Sequence, residues 1–251
     1  MERLDAGSIG LPDVEVRVVA SCGSTNEVLL KQPGDATLLL AAEAQTAGRG
    51  RRGRRWHSTP GADLTFSLAT TVQRPARELA ALSLVAGVAA ARALRNAGVR
   101  AVALKWPNDL VVGEAKLGGI LVETRAAARG RTRVVFGIGI NCLRTPGLEA
   151  RLRRRVAFLD TFSSPDRNRL IRDIARNLLA ALERFESSGF DAADWEAFDA
   201  HAGQRLRVRL ADGRTLSGVA CGLAEDGSLR LRSRKGVRAV RAGRLVTARA
   251  A

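Results

Sequence analysis

Gln45-Thr46-Ala47-Gly48-Arg49-Gly50-Arg51-Arg52-Gly53-Arg54-Arg55-Trp56 is the stretch from which the rest of this 251-residue chain is most directly read. Between Gly48 and Arg55, five arginines are interleaved with three glycines, and no Asp or Glu occurs between Glu43 and Asp63. Arginine offers a planar fork of donors that suits phosphate or carboxylate. Glycine lets the backbone come close to such a group and take positive φ. The segment therefore reads as a loop built to hold an anion.

The surrounding composition narrows the field. A net charge of +16 invites a polyanionic partner. Arginine, however, far outnumbers lysine, alanine and glycine are abundant, and tyrosine is absent. A GC-rich coding sequence produces the same bias, so global charge alone selects no partner. A hydrophobic fraction of 46% is ample for a buried core. The three cysteines, Cys22, Cys142 and Cys221, are far apart and form no CxxC, and the only histidines are His57 and His201. A disulfide framework or a His/Cys metal centre is not expected. Met1 to Gly10 has neither a basic start nor a following apolar stretch, and the apolar run Leu79 to Ala93 is broken by Ser83 and Arg92. The expectation is a cytoplasmic protein without membrane association.

Strands are expected at Val14 to Val19, Thr37 to Ala42, Leu64 to Thr71, Val99 to Leu104 and Val134 to Asn141. Leu110 to Val112 and Leu117 to Glu123 flank Gly113-Glu114 as a hairpin. Ser21 to Asn26 supplies N-cap residues for a short helix, Glu27 to Lys31. A long helix is expected from Pro75 to about Ala97, and an amphipathic one from Asp166 to Ser187. From Gly203 the texture changes to short strands joined at Asp212-Gly213 and Asp226-Gly227. That predicts two domains, 1–202 and 203–251, the second a small all-β barrel.

Four constellations carry chemistry. The first is the arginine–glycine loop. The second is Lys105-Trp106-Pro107-Asn108-Asp109, where the proline fixes a turn and leaves Lys105 at the last extended position of a strand. The third is Lys116-Leu117-Gly118-Gly119-Ile120-Leu121, and the fourth Gly137-Ile138-Gly139-Ile140-Asn141, where glycines inside a strand mark a close approach. No GxxxxGK[ST] and no strand-linked GxGxxG is present, so the common nucleotide-binding folds are not indicated.

Together with Ser24-Thr25-Asn26, these segments in this order resemble the biotin–protein ligases, also called biotin–[acetyl-CoA-carboxylase] ligases. The resemblance spans roughly residues 14 to 250. It implies an α+β fold: a mixed-sheet, class II synthetase-like catalytic domain flanked by helices, with a small C-terminal SH3-like domain. It also implies a two-step reaction that uses ATP, Mg2+ and biotin. Biotin is activated as biotinyl-5′-AMP and passed to one lysine of a biotin carboxyl carrier protein of acetyl-CoA or acyl-CoA carboxylase. Only 13 residues precede the first expected strand. The monofunctional form is therefore expected, without an N-terminal helix-turn-helix and without specific DNA binding.

By the same resemblance, Ser24, Thr25, Asn26, Gln45, Arg49, Gly50, Arg51, Lys105 and Gly119 bind biotin. Arg51, Arg52, Arg54, Trp56, Asn108, Lys116 and Asn141 bind the nucleotide. Lys105, Arg51 and Asp109 are the catalytic set: Lys105 stabilises charge on the reacting carboxylate and phosphate, and Asp109 orients the incoming amine or a magnesium ion. The resemblance assigns no metal ligand, since magnesium enters mainly on the ATP phosphates. Cys142-Leu143 stand where the family often has Val-Asn, and Leu143 to Asp160, with Arg153-Arg154-Arg155, matches nothing specific. Two other classes compete. Residues 203–251 carry 12 basic and 3 acidic residues, as a nucleic-acid-binding barrel would, but with almost no aromatics for base stacking. A lipoyl or octanoyl transferase shares the fold and an acyl chemistry, and the complete arginine–glycine signature argues against it.

Overall fold

Strand alternation sorts this chain into two faces of one sheet. The computed structural model describes residues 2–164 and 166–246. A short helix α1 (Ala6–Ile9) precedes β1 (Glu15–Val19), α2 (Thr25–Lys31), β2 (Leu38–Ala42) and β3 (Asp63–Val72). Then follow α3 (Leu82–Asn96), β4 (Val102–Lys105), β5 (Asp109–Val112), β6 (Ala115–Ala126) and β7 (Thr132–Asn141). Helices α4 (Leu148–Leu152), α5 (Arg167–Ser188) and α6 (Ala192–Glu196) complete this part. The seven strands pair in the order β1-β2-β3-β7-β6-β5-β4, with β1 and β2 parallel and the other pairs antiparallel.

Leu39, Ala41, Leu64, Phe66, Leu68, Phe136, Ile138, Ile140, Ile120 and Leu104 point to one face and form the main core with α3 and α5. On the other face, α2 covers a smaller cluster of Leu29, Leu38, Leu40, Ala69 and Val135. Beyond that cluster the second face is left for polar groups. Buried Arg167 at the start of α5 donates to both oxygens of Glu43 at 2.8 and 3.1 Å and to the carbonyl of Glu2 at 2.6 Å. The amino-terminal segment is thereby tied to the end of β2.

The second sheet is antiparallel throughout: β8 (Arg205–Arg209), β9 (Thr215–Leu223), β10 (Leu229–Ser233), β11 (Gly236–Val240) and β12 (Arg244–Val246), in the order β11-β10-β9-β8-β12. Both expected turns form, with Gly213 at φ 84° and Gly227 at φ 79°. In β8, Leu206 and Val208 are buried while Arg205, Arg207 and Arg209 are exposed. The sheets are joined where Trp106 Nε1 donates to the carbonyl of Gly227 at 3.1 Å and Leu223 N–H donates to Glu196 Oε1 at 3.0 Å. Residues 247–251, the end of the expected second domain, lie outside the described residues.

The expected helix from Pro75 is corrected. Residues Ala76–Glu78 form a separate 3-10 turn and α3 begins only at Leu82. Arg74 stays anchored to the carbonyl of Glu186 at 2.8 Å and over the Phe185 ring, so the chain must turn again before it can enter α3. Helices α1 and α6 and strand β12 are absent from the sequence reading; each is five residues or shorter and held by non-local contacts.

Candidate active site

One row of register partners crosses the second face of the large sheet: Ala42, Thr65, Gly139, Gly119, Asp109 and Lys105. Two residues along runs a parallel row of Leu40, Ser67, Gly137 and Leu121. Glycine at three central places cuts a trough into the face. A β-carbon at Gly137 would stand 2.3 Å from Asn26 Oδ1, at Gly139 2.5 Å from Trp56 Cε2, and at Gly119 2.9 Å from Lys116 Nζ. The strand glycines are thus explained by side chains lying flat on them.

The Ser24-Thr25-Asn26 corner opens α2 and closes one end of the trough. All three residues are buried. Thr25 donates through its N–H and Oγ1 to Gln45 Oε1 at 2.8 and 3.1 Å. Ser67 Oγ lies 2.7 Å from Thr25 Oγ1 and 2.6 Å from Asn26 Oδ1. Asn26 Nδ2 donates to the Leu121 carbonyl and to Glu123 Oε2, and Arg49 pairs with the other oxygen of Glu123. Among the described residues the amide N–H groups of Gln45 make no hydrogen bond, whereas Asn26 spends both of its own on the scaffold. Ser24 is the N-cap of α2 by position, without a side-chain capping bond.

The arginine loop is a small hairpin rather than a loose coil. Trp56 N–H donates to the Gly48 carbonyl at 2.9 Å, Gly50 N–H to Arg54 at 2.7 Å, and Arg49 bridges Arg55. Only Gly53 among its glycines takes positive φ, 71°, beside Arg52 at 58°. Gly48 is required for a different reason: a β-carbon there would lie 2.7 Å from the Trp56 carbonyl. The hairpin roofs an open cleft of about 600 Å³ whose far wall is Leu121 and Glu123.

At the other end of the trough, Lys105 is the last residue of β4 and Asp109 the first of β5, directly paired. Asp109 forms an ion pair with Lys116. Burial holds the Lys116 ammonium below its ordinary pKa, against the opposing pull of Asp109. Asn108 Nδ2 donates to the Ile120 carbonyl at 2.7 Å, and Asn141 Nδ2 to the carbonyls of Lys116 and Ala157 at 3.1 and 3.3 Å. Asn141 thereby spends both N–H groups on neighbouring backbone, whereas Asn108 spends one and keeps the other N–H and its oxygen. Burial, then the charges of Arg52 and Arg54, depress Arg51, with Asp109 opposing.

The structure brings Arg51, Arg54, Lys116 and Asp109 into mutual electrostatic reach and sets Lys105 in the same row. It also adds residues that the sequence reading missed. Ser67 and Glu123 brace the corner. His201 follows the segment that pairs with Leu104, and burial together with the Lys105 charge keeps it below its ordinary pKa. Arg154 stands near Asp109, Arg54 and Arg244. Glu123 was legible only as an isolated acidic residue at a strand end; its role depends on which arginine reaches it.

Residues 18–141 match the family described as the biotin/lipoate A/B protein ligase family. The bifunctional ligase/repressor BirA of Escherichia coli K12 is 34% identical over 91% of this chain and 70% of its own length. The biotin–[acetyl-CoA-carboxylase] ligase of Mycobacterium tuberculosis is 34% identical over 86% of this chain and 82% of its own. A biotin protein ligase from Aquifex aeolicus, solved in complex with biotin and ATP, superposes with a TM-score of 0.78 at 26% identity, covering 92% of this chain and 97% of that one. Among the described residues, no helix is long and apolar enough to cross a membrane. The match runs through both halves of the trough, and the chain belongs to the biotin/lipoate A/B protein ligase family, as an enzyme of the biotin–[acetyl-CoA-carboxylase] ligase type.

Proposed function

We propose that the chain binds biotin and ATP in this trough, joins them as biotinyl-5′-AMP, and transfers the biotinyl group to one lysine of a carrier domain. The carrier we infer is the biotin carboxyl carrier protein of an acetyl-CoA or acyl-CoA carboxylase. In the first step, a carboxylate oxygen of biotin attacks the α-phosphorus and pyrophosphate departs with the bonding electrons. In the second, the acceptor amine attacks the mixed anhydride and AMP leaves.

The observation that carries this reading is the row Gly139–Gly119–Asp109–Lys105 beneath the arginine hairpin. Two anions must approach each other there, and fixed cations offset their repulsion. Gln45 and the Ser24–Thr25 corner are suited to the ureido ring, with Asn26, Arg49 and Gly50 shaping that end. Lys105 and Arg51 stabilise charge on the carboxylate and the non-bridging oxygens. Arg52, Arg54, Trp56, Asn108, Lys116 and Asn141 line the nucleotide side. Asp109 receives or orients the acceptor amine. Among the described residues, no group of three or more His, Cys, Asp or Glu could hold a metal ion. Magnesium would arrive on the triphosphate and neutralise its oxygens, with Asp109 the carboxylate at hand. Residues 1–202 would form the catalytic unit and 203–251 an accessory one.

The test is the intact mass of an apo carrier domain incubated with the protein, biotin and MgATP. A gain of one biotinyl group on one lysine is expected. No gain with biotin, but a gain with lipoate, would move the protein to the lipoate side of its family.

A further inference from the structure

Glu123 braces the ligand corner, and the hydrogen-bonding character of its partners gives it a further part. Strand register explains its position. Ser67, Gly137 and Leu121 are direct partners across β3, β7 and β6, and Glu123 stands two residues beyond Leu121 on the same face. The amide of Asn26 lies on Gly137 and reaches the neighbours on either side. Its Nδ2 donates to the Leu121 carbonyl at 3.2 Å and to Glu123 Oε2 at 2.9 Å, and its Oδ1 accepts from Ser67 Oγ at 2.6 Å. Arg49 pairs with the other oxygen of Glu123, so one carboxylate fastens both the hairpin and the corner.

These partners leave Asn26 a single orientation. A backbone carbonyl and a carboxylate paired with a guanidinium can only accept. The amide must therefore turn its NH2 group toward Leu121 and Glu123 and its oxygen toward Ser67.

The hydroxyl protons of the corner can then be counted. Ser67 has one proton and two acceptors, Asn26 Oδ1 at 2.6 Å and Thr25 Oγ1 at 2.7 Å. Thr25 Oγ1 gives its own proton to Gln45 Oε1 at 3.1 Å. Three oxygen–oxygen contacts are thus served by two protons, and Thr25, Asn26 and Ser67 are all buried. With the Asn26 oxygen claiming the Ser67 proton, Thr25 Oγ1 is an acceptor short of a donor. A buried acceptor in that state favours any ligand that brings an N–H to it.

We propose that Glu123 is a positioning residue that sets the donor–acceptor polarity of this corner and so selects a head group that donates N–H. A cyclic urea supplies such donors and a dithiolane does not. The proposal rests on the biotin reading above. Glutamine at this position would undo the polarity, because its amide can offer an N–H as well as an oxygen. The Asn26 amide can then reverse, at the cost of its 3.2 Å bond to Leu121, and give an N–H to Ser67 Oγ. The Ser67 proton is released to Thr25, and the deficit is closed within the protein. A ligand N–H then finds no acceptor in need of it.

Glu123→Gln, Ser67→Ala and the double variant in the full chain test the assignment. Binding of biotin, and of biotin methylated on one ureido nitrogen, is measured by calorimetry without ATP or acceptor. Both ligands are titrated into one preparation, so a partly folded variant loses sites without changing the ratio of the two affinities. Glu123→Gln is expected to weaken biotin about tenfold, the size of one hydrogen bond to a buried acceptor, and the methylated analogue much less. The steric effect of the methyl group is common to parent and variant, so the preference for biotin narrows. In the Ser67→Ala background the same change should have little further effect, because the relay to Thr25 is already cut. Equal weakening of both ligands, or a full tenfold loss in the Ser67→Ala background, overturns the proposal. The cycle with Ser67 uses biotin alone and decides the matter if the analogue does not bind. A parent protein that binds lipoate and not biotin would overturn the biotin reading itself, an outcome distinct from biotin binding that is indifferent to Glu123.

Discussion

The indole of Trp56 lies so close on Gly139 that a β-carbon at that glycine would come within 2.5 Å of Cε2. The arginine hairpin ends at Trp56, and Trp56 N–H is bonded to Gly48. The glycine in β7 therefore sets the height at which the hairpin stands above the trough.

Gly139→Ala should force the indole off the sheet and lift the hairpin with it. Overpacking of this kind costs about 1–3 kcal/mol. A lower melting temperature is expected together with weaker biotin binding, both measurable on the same preparation. An alanine variant with parent stability and affinity would show that Trp56 does not fix the hairpin.

Asn26→Leu should destabilise the protein by about 1–3 kcal/mol, because Ser67, the Leu121 carbonyl and Glu123 lose a buried partner. The Asn26→Leu/Ser67→Ala double variant should cost less than the sum of the single ones, since both remove the same bond. Additive costs in denaturant titrations would mean that the two side chains act separately.

Lys105→Ala should mainly lower the rate of adenylation, about 100- to 1000-fold, the usual effect of losing one donor to developing charge. Arg51→Ala should instead speed the loss of bound adenylate, since it belongs to the covering hairpin. Single-turnover formation and dissociation of the adenylate separate these outcomes; similar small effects on both steps would show the two roles misassigned.

Asp63 is buried, and burial pushes its carboxyl up to about 6, against bonds from Thr59 and Cys142. The folded state therefore holds this proton more tightly than the unfolded state does. Stability from this group is present below about pH 4 and is lost as pH rises toward 6. Asp63→Asn should remove that slope. The stability of the variant relative to the parent should rise by about 2 kcal/mol between pH 4 and pH 7. A constant difference across that range, measured by urea unfolding, would show that Asp63 is not protonated in the fold.

Much of the fold was legible because its signals are local. The fully apolar run at residues 37–42 is an interior strand, the glycines after Asp212 and Asp226 do turn hairpins, and Asp166 does cap the long amphipathic helix. The helix expected from Pro75 failed because Arg74 is tethered to the end of α5, a contact 112 residues away. The arginine loop was read as flexible from its glycines, but it is a paired hairpin in which Gly48 permits close packing on Trp56 and Gly53 takes the positive φ of the turn. Gly48 accepts from Trp56 N–H, and Gly50, in extended conformation, donates to Arg54 across the hairpin.

The sequence by itself determined the chemistry on offer: five clustered arginines, two strand-end lysines, a polar helix start and glycines inside strands. Their order along the chain was enough to indicate the family. Only the tertiary structure decided which of these groups meet. Register across β4, β5, β6 and β7 placed Lys105, Asp109, Gly119 and Gly139 in one row, although they are spread over 35 residues. It also turned Asn26 and Asn141 toward the scaffold and brought Arg154 within reach of Arg244 from the other sheet. The physical reason is that side-chain type is a property of one residue, whereas pairing, burial and charge compensation are properties of residues distant in the chain.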